Sequence, residues 1–139
     1  MKPTALVVDD SALMNLAMAR ALRSEGFDPV VALSARAARL QLEAVTPSLI
    51  LMDIQMPETD GYAFTRELRA DPRTADIPIV VSSGRSLDID REMAFDAGCD
   101  EYVVKPILPH ILGPLLRRAV LEGKDKTEAI LSAPEVIHD

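Results

Sequence analysis

Five short apolar runs punctuate the chain, at residues 5–8, 29–33, 49–52, 77–81 and 102–104. Each is rich in β-branched residues or Leu and is bounded by turn or cap residues, so each predicts a strand. Their apolar character is continuous rather than alternating. That predicts strands covered on both faces, as in a parallel sheet between helix layers.

Between the runs, apolar positions recur at helical spacing. Residues 11–25 predict a first helix with Leu13, Ala17 and Ala21 on one face, Ser11 as N-cap and Gly26 as stop. Residues 34–45 predict a second, with Ala37, Leu40 and Ala44 on its stripe and Thr46-Pro47 ending it. The third carries Phe64 and Leu68, opened by Asp60-Gly61 and closed by Asp71-Pro72. The fourth, 87–97, places Ile89, Met93 and Ala97 on a face with Gly98 beyond, and the fifth covers 109–121. Pro109 suits a first turn, but Gly113-Pro114 falls inside the fifth segment. An interior Pro costs about 3 kcal/mol, so a bent or shortened helix is expected there. Strand and helix alternate five times, which predicts an α/β fold with a right-handedly connected parallel sheet. Residues 122–139 are polar with small residues and predict a flexible tail or linker behind a domain of residues 1–121.

A chain of 139 residues can bury one sizeable core, so one domain is expected. Aromatic residues make up only 4% and Trp is absent, which leaves no stacking platform for single-stranded nucleic acid or a flat cofactor. The net charge of -7 argues against a phosphate-backbone binder. The expectation is of no direct nucleic-acid partner, with metal ions and basic protein surfaces favoured instead. The lone Cys99 cannot close an intrachain disulfide, the first apolar stretch is too short for a secretion signal, and no run approaches a membrane span. A cytoplasmic protein without a membrane partner is therefore expected.

Polar residues directly follow four of the five runs: Asp9-Asp10, Asp53, Ser82-Ser83 and Lys105. Parallel strands end on one edge of a sheet, the edge where open α/β sheets bind ligands, so these residues are predicted neighbours in space. Two like charges about 4 Å apart repel by about 4 kcal/mol at an effective dielectric near 20. Three carboxylates together therefore need cations or protons. Lys105 supplies one positive charge, and the remainder suits Mg²⁺ better than Ca²⁺ with its larger oxygen cage. Zinc is disfavoured, because neither His110 nor His138 has a partner at ligand spacing. A carboxylate beside Mg²⁺ and an ammonium can attack a phosphoryl group, and Asp53 is placed for this. Ser83 and Lys105 could then each hold an oxygen of the product.

The acid pair Asp9-Asp10 after a strand, the stretch from Asp53 through Gln55, Met56, Pro57 and Asp60 to Gly61, Ser83-Gly84 thirty residues beyond Asp53, and Lys105-Pro106 after Tyr102 together resemble response-regulator receiver domains. The resemblance covers residues 3–121. It implies a flavodoxin-like, doubly wound five-stranded sheet of order 2-1-3-4-5, with phosphoryl transfer from a phosphohistidine of a histidine kinase or histidine phosphotransfer protein. It further implies Asp53 as phosphoacceptor, with Asp10, Asp53 and the backbone carbonyl of Gln55 as ligands of Mg²⁺, or of Mn²⁺ in its place. Asp9 would join through water. Ser83 would be the switch hydroxyl, Lys105 the partner of the phosphoryl group, Tyr102 the switch aromatic and Pro106 a cis residue. The output surface for a downstream protein target would run over residues 86–121. Gly84, standing where Ala is expected, and Gly113-Pro114 depart from the family pattern on that surface.

Taken singly, an Asp or Ser after a strand is as often a helix cap, Lys105 a solvated lysine and Tyr102 a buried strand residue. Cys99 reads as a small buried hydrophobe. Their joint spacing carries the inference. The protein is expected to catalyse only its own aspartyl phosphorylation and dephosphorylation, and not to be an enzyme in the ordinary sense. Gln55 and Arg85, each two residues past a site residue, are placed to tune hydrolysis of the phosphoryl group. A haloacid-dehalogenase-type phosphatase would want an acid at position 55, and a P-loop enzyme a Gly-rich stretch ending in Gly-Lys; neither is present. Two alternatives remain, an unphosphorylated pseudo-receiver binding module and a receiver cut from a longer hybrid kinase or regulator. As no basic helix-turn-helix follows residue 121, the expectation is of a single-domain receiver.

Overall fold

The computed structural model describes residues 2–85, 87–105, 107 and 112–119. Strands β1 (Thr4–Val8), β2 (Asp28–Ala32), β3 (Leu49–Asp53), β4 (Ile79–Ser83) and β5 (Glu101–Val104) alternate with helices α1 (Ala12–Ser24), α2 (Ala35–Ala44), α3 (Gly61–Ala70) and α4 (Asp88–Ala97). A fifth helix, α5, covers residues 112–119. All strand pairs are parallel and the order is β2-β1-β3-β4-β5, the flavodoxin-like arrangement that was expected.

The continuous apolar runs are explained by two cores, one on each side of the sheet. Leu6, Val8, Ile50, Met52, Ile79 and Val81 face one side, with Ala35, Ala38, Phe64, Leu68, Ala94 and Ala97 from α2, α3 and α4. Ala5, Val7, Leu49, Leu51 and Val80 face the other, with Met18 and Leu22 of α1 and Leu112, Leu116 and Ala119 of α5. Because side chains alternate along a strand, β1, β3, β4 and β5 feed both cores, while edge strand β2 turns Val30 and Ala32 to the first and leaves Val31 exposed.

The helix ends lie where cap chemistry puts them. The side chains of Ser11, Ser34 and Asp60 accept hydrogen bonds from the backbone N–H groups of Met14, Ala37 and Tyr62. Gly98 follows α4 at φ 115° and Gly26 follows α1 at φ 89°, left-handed conformations open to glycine.

Several expectations are corrected. The buried face of α1 is Asn15, Met18, Ala19 and Leu22, while Leu13 is 78% exposed. In α2 the buried residues are Ala35 and Ala38 with Leu40 outside, and in α4 they are Asp90, Ala94 and Ala97 with Ile89 and Met93 outside. In α2 and α4 small alanines face the sheet and the larger apolar residues do not mark the inner face, whereas α1 buries Met18 and Leu22 one turn or more beyond Leu13. On α3, Phe64 and Leu68 are buried as expected. The fourth strand starts two residues later than the pattern suggests, since Pro78 cannot donate to the ladder. Helix α5 runs unbroken through Gly113 and Pro114. A Cβ at Gly113 would meet the Glu25 carboxylate, the movable end of a side chain that pairs with Arg117. The expected shortening of that helix, His110, His138 and the tail at 122–139 lie outside the described residues.

Leu51, on the central strand and 1% exposed, tests this packing. Leu51→Ala is expected to destabilise the fold by about 2–5 kcal/mol in urea unfolding with an unchanged slope.

Candidate functional site

The sheet's C-terminal edge gathers the residues singled out from sequence. Asp9 follows β1, Asp53 ends β3, Ser83 ends β4 and Lys105 follows β5. Carboxylate oxygens of Asp9, Asp10 and Asp53 all lie within 4.8 Å of one another. Lys105 Nζ donates to Asp9 Oδ2 at 2.8 Å and sits 3.4 Å from Asp53 Oδ1.

The three acids are not equivalent. Asp9 is buried and doubly engaged, since its Oδ1 accepts the Ser11 backbone N–H at 2.9 Å and its Oδ2 the lysine. Asp53 is 5% exposed, with Oδ1 accepting the Gln55 N–H at 3.1 Å. Asp10 is exposed at the rim. Burial pushes the Asp53 carboxyl above its ordinary pKa; the Gln55 N–H and the Lys105 charge oppose this, and the Asp9 charge adds to it. Burial also works against the Lys105 charge, but the hydrogen bond to Asp9 and the charges of Asp53 and Asp9 outweigh it and raise the lysine's pKa.

Oxygen donors converging from three carboxylates, two of them buried, form a set suited to a hard divalent cation, and Mg²⁺ fits it. One lysine leaves net negative charge, which a divalent ion would offset. An open cleft of about 560 Å³ leads outward from Asp10 along Gln55, Thr59, Tyr62, Arg85 and Met93.

Ser83 is fully buried, and its Oγ accepts the Arg85 N–H at 3.1 Å. Tyr102 is also buried, its hydroxyl donating to the Arg85 carbonyl at 2.7 Å, so one residue of the β4–α4 connection ties both side chains. In the sheet register Asp53 stands opposite Ser82. Gln55 and Arg85 are both exposed on the cleft wall. Pro106 and Ser86 lie outside the described residues.

One residue, Asn15, went unrecognised in the sequence, and the packing role of Gly61 was not legible there. Gly61 is required because a Cβ there would lie 2.6 Å from Ile54 Cα, where the β3–α3 loop folds back on itself. Asn15 sits buried beneath Asp9; a polar residue inside an otherwise apolar helical stretch was the signal available.

A family model for the response regulator receiver domain matches residues 5–115. The chain belongs to this family. It is therefore a signalling module of two-component systems, and this receiver resembles solved ones closely. The receiver domain of the sensor histidine kinase PA1611 from Pseudomonas aeruginosa PAO1, solved with a magnesium ion coordinated in its active-site cleft, is 30% identical, with a TM-score of 0.78 over 86% of this chain and 98% of that one. The signal receiver domain of a histidine kinase from Syntrophus aciditrophicus is 26% identical, with a TM-score of 0.79 over 99% of this chain and 98% of that one. Among curated proteins, the DNA-binding response regulator MtrA of Mycobacterium tuberculosis H37Rv is 31% identical over 98% of this chain and 58% of its own length. The chain thus spans a little over half the length of the curated relatives it matches.

MtrA overturns the expectation that nucleic acid has no place among the partners. Net charge reports only on the segment that carries it, and an acidic receiver is compatible with a DNA-binding protein when the contacts come from another part. Among the described residues, no helix is long and apolar enough to cross a membrane.

The raised Asp53 pKa sets a sign for stability. A carboxyl whose folded-state pKa lies above its unfolded value favours the folded state only while protonated, and this contribution fades as pH rises through the folded value. Metal-free Asp53→Asn protein is expected to melt a few degrees above wild type near pH 7–8. The difference should vanish below about pH 4, where the wild-type carboxyl is protonated too. Thermal melts across pH in the presence of a chelator check this.

Proposed function

We propose that this receiver is a phosphorylation-dependent switch in which Asp53 accepts a phosphoryl group from a phosphohistidine of a partner histidine kinase or histidine phosphotransfer protein. The observation that carries the reading is the buried Asp53 carboxylate held beside Lys105 and within reach of two further carboxylates at the open edge of the sheet. Transfer forms an acyl phosphate on Asp53 as the phosphorus–nitrogen bond of the phosphohistidine breaks. Asp10, Asp53 and the Gln55 carbonyl would hold Mg²⁺ or Mn²⁺, with Asp9 joining through water; the ion, when bound, neutralises charge on the phosphoryl oxygens. Lys105 balances the charge of the transferred group, and Ser83 donates its hydroxyl to one of its oxygens.

The switch follows from the shared tie at Arg85. If the Ser83 hydroxyl turns toward a phosphoryl group, the Arg85 turn that also holds the Tyr102 hydroxyl is disturbed. That change reaches α4, β5 and α5, and on α4, its N-cap and β5 the side chains of Leu87, Ile89, Met93, Phe95 and Val104 are exposed and apolar, suited to a protein partner. A second reading, that the chain is the receiver portion of a longer regulator, is favoured by its match to only 58% of MtrA. The switch would then act on the linked part as well.

Incubation with Mg²⁺ and a small phosphodonor such as acetyl phosphate is expected to add one phosphoryl group to the wild type and none to Asp53→Asn, read by intact mass. Equal labelling of the two proteins would sink the assignment. Lys105→Met should slow labelling by about 10²-fold or more, the scale for removing one preorganised charge. In the phosphorylated protein, hydrolysis of intermediate speed is expected, with Gln55 orienting the attacking water and Arg85, which cannot act as a base, lining its path. Gln55→Ala and Arg85→Ala should each change the first-order decay, and a decay rate that ignores both substitutions would remove those residues from the hydrolytic path.

A further inference from the structure

Asn15 lies in the first turns of α1, on the face turned toward the sheet, and is 3% exposed. It is the one polar residue in the stretch Ala12 to Ala19. Its Nδ2 donates to the carbonyl of Asp9 at 2.9 Å and to the carbonyl of Ala32 at 3.3 Å. The reverse orientation of the amide would set Oδ1 against two carbonyl oxygens, so the donor assignment follows from the partners. Oδ1 itself is buried with no hydrogen-bond partner. An apolar side chain of this shape would leave no such orphan. As packing material between helix and sheet, asparagine is a poor choice at this position; what it contributes is the grip on two carbonyls.

One of those carbonyls belongs to the peptide that joins the two acids. Because a peptide unit is planar, holding the Asp9 oxygen fixes that plane and the direction in which Asp10 leaves it. Asp10 is exposed, so the backbone beneath it sets its aim. The other carbonyl, Ala32, ends β2 and also accepts the Asp9 N–H at 3.1 Å, so the amide bridges the ends of two strands around the same residue. Resting on the metal reading above, we propose that Asn15 is a positioning residue: it clamps the Asp9–Asp10 peptide between the ends of β1 and β2, so that the Asp10 carboxylate converges with Asp9 and Asp53 before an ion arrives.

The test is a Mg²⁺ titration followed by amide NMR on the full chain, for wild type, Asn15→Leu, Asn15→Ala and Met18→Ala. Met18→Ala removes packing from the same helix face without touching Asp9, and serves as the stability control. Both Asn15 variants are expected to fold and to bind Mg²⁺ about tenfold or more weakly, the scale seen when groups that orient metal ligands are lost, while Met18→Ala keeps wild-type affinity. Wild-type affinity in both Asn15 variants overturns the proposal, as does an equal loss in Met18→Ala. Failure of both Asn15 variants to fold would make the residue a folding determinant and overturn it as well. A wild type that shows no Mg²⁺ response rejects the metal reading itself, which separates the two failures.

Discussion

The rest of the site depends on one constraint: two carboxylates buried at the end of a sheet must be held against their mutual repulsion. Lys105 does part of this by reaching across from the end of β5 to touch Asp9 and Asp53 together. The ammonium stays charged because the acids raise its pKa further than burial lowers it. Asp53 is the less well stabilised partner, since burial outweighs both the lysine and the Gln55 N–H. The site is therefore left short of positive charge, and that shortfall is the physical basis for a divalent cation being welcome there.

The fold makes this arrangement by directing every strand to the same edge. β1, β3 and β5 deliver an acid pair, an acid and a lysine from positions nearly a hundred residues apart in the case of Asp9 and Lys105. Rigidity comes from below. Two separate cores clamp the sheet from both faces, caps fix where the helices begin, and Gly61 lets the loop after Asp53 close on Ile54. The segment between β4 and α4 has a different character: at Arg85 it ties Ser83 and Tyr102 to one exposed residue through two backbone bonds. Arg85 also pairs with Asp90 of α4 at 3.5 Å, so this one residue links the end of β4, β5 and α4.

A net charge of -7 averages over the whole chain and does not by itself decide which partners a protein contacts. Electrostatic attraction to a nucleic acid depends on where basic groups cluster, so a receiver's balance does not speak for whatever it is joined to or regulates. MtrA, which this chain matches over little more than half its length, is the counterexample.

The strands, the two-sided burial of β1, β3 and β4, the parallel class and the residues at the strand ends are legible in the residue order, because continuous apolar runs and the polar residues that close them are local signals. It also determined most helix ends, since caps and glycines act within a few residues. Which side of α1 and α4 turns inward was decided only by tertiary packing. Each helix carries apolar residues on more than one side, and the sheet accepts Met18, Ala19 and Leu22 of α1 and Ala94 and Ala97 of α4 while leaving Leu13, Ile89 and Met93 outside. The same holds for the division of labour among the acids. Asp9 and Asp10 are adjacent and chemically identical, and only the positions of Ser11, Asn15 and Lys105 in space bury one and leave the other at the rim.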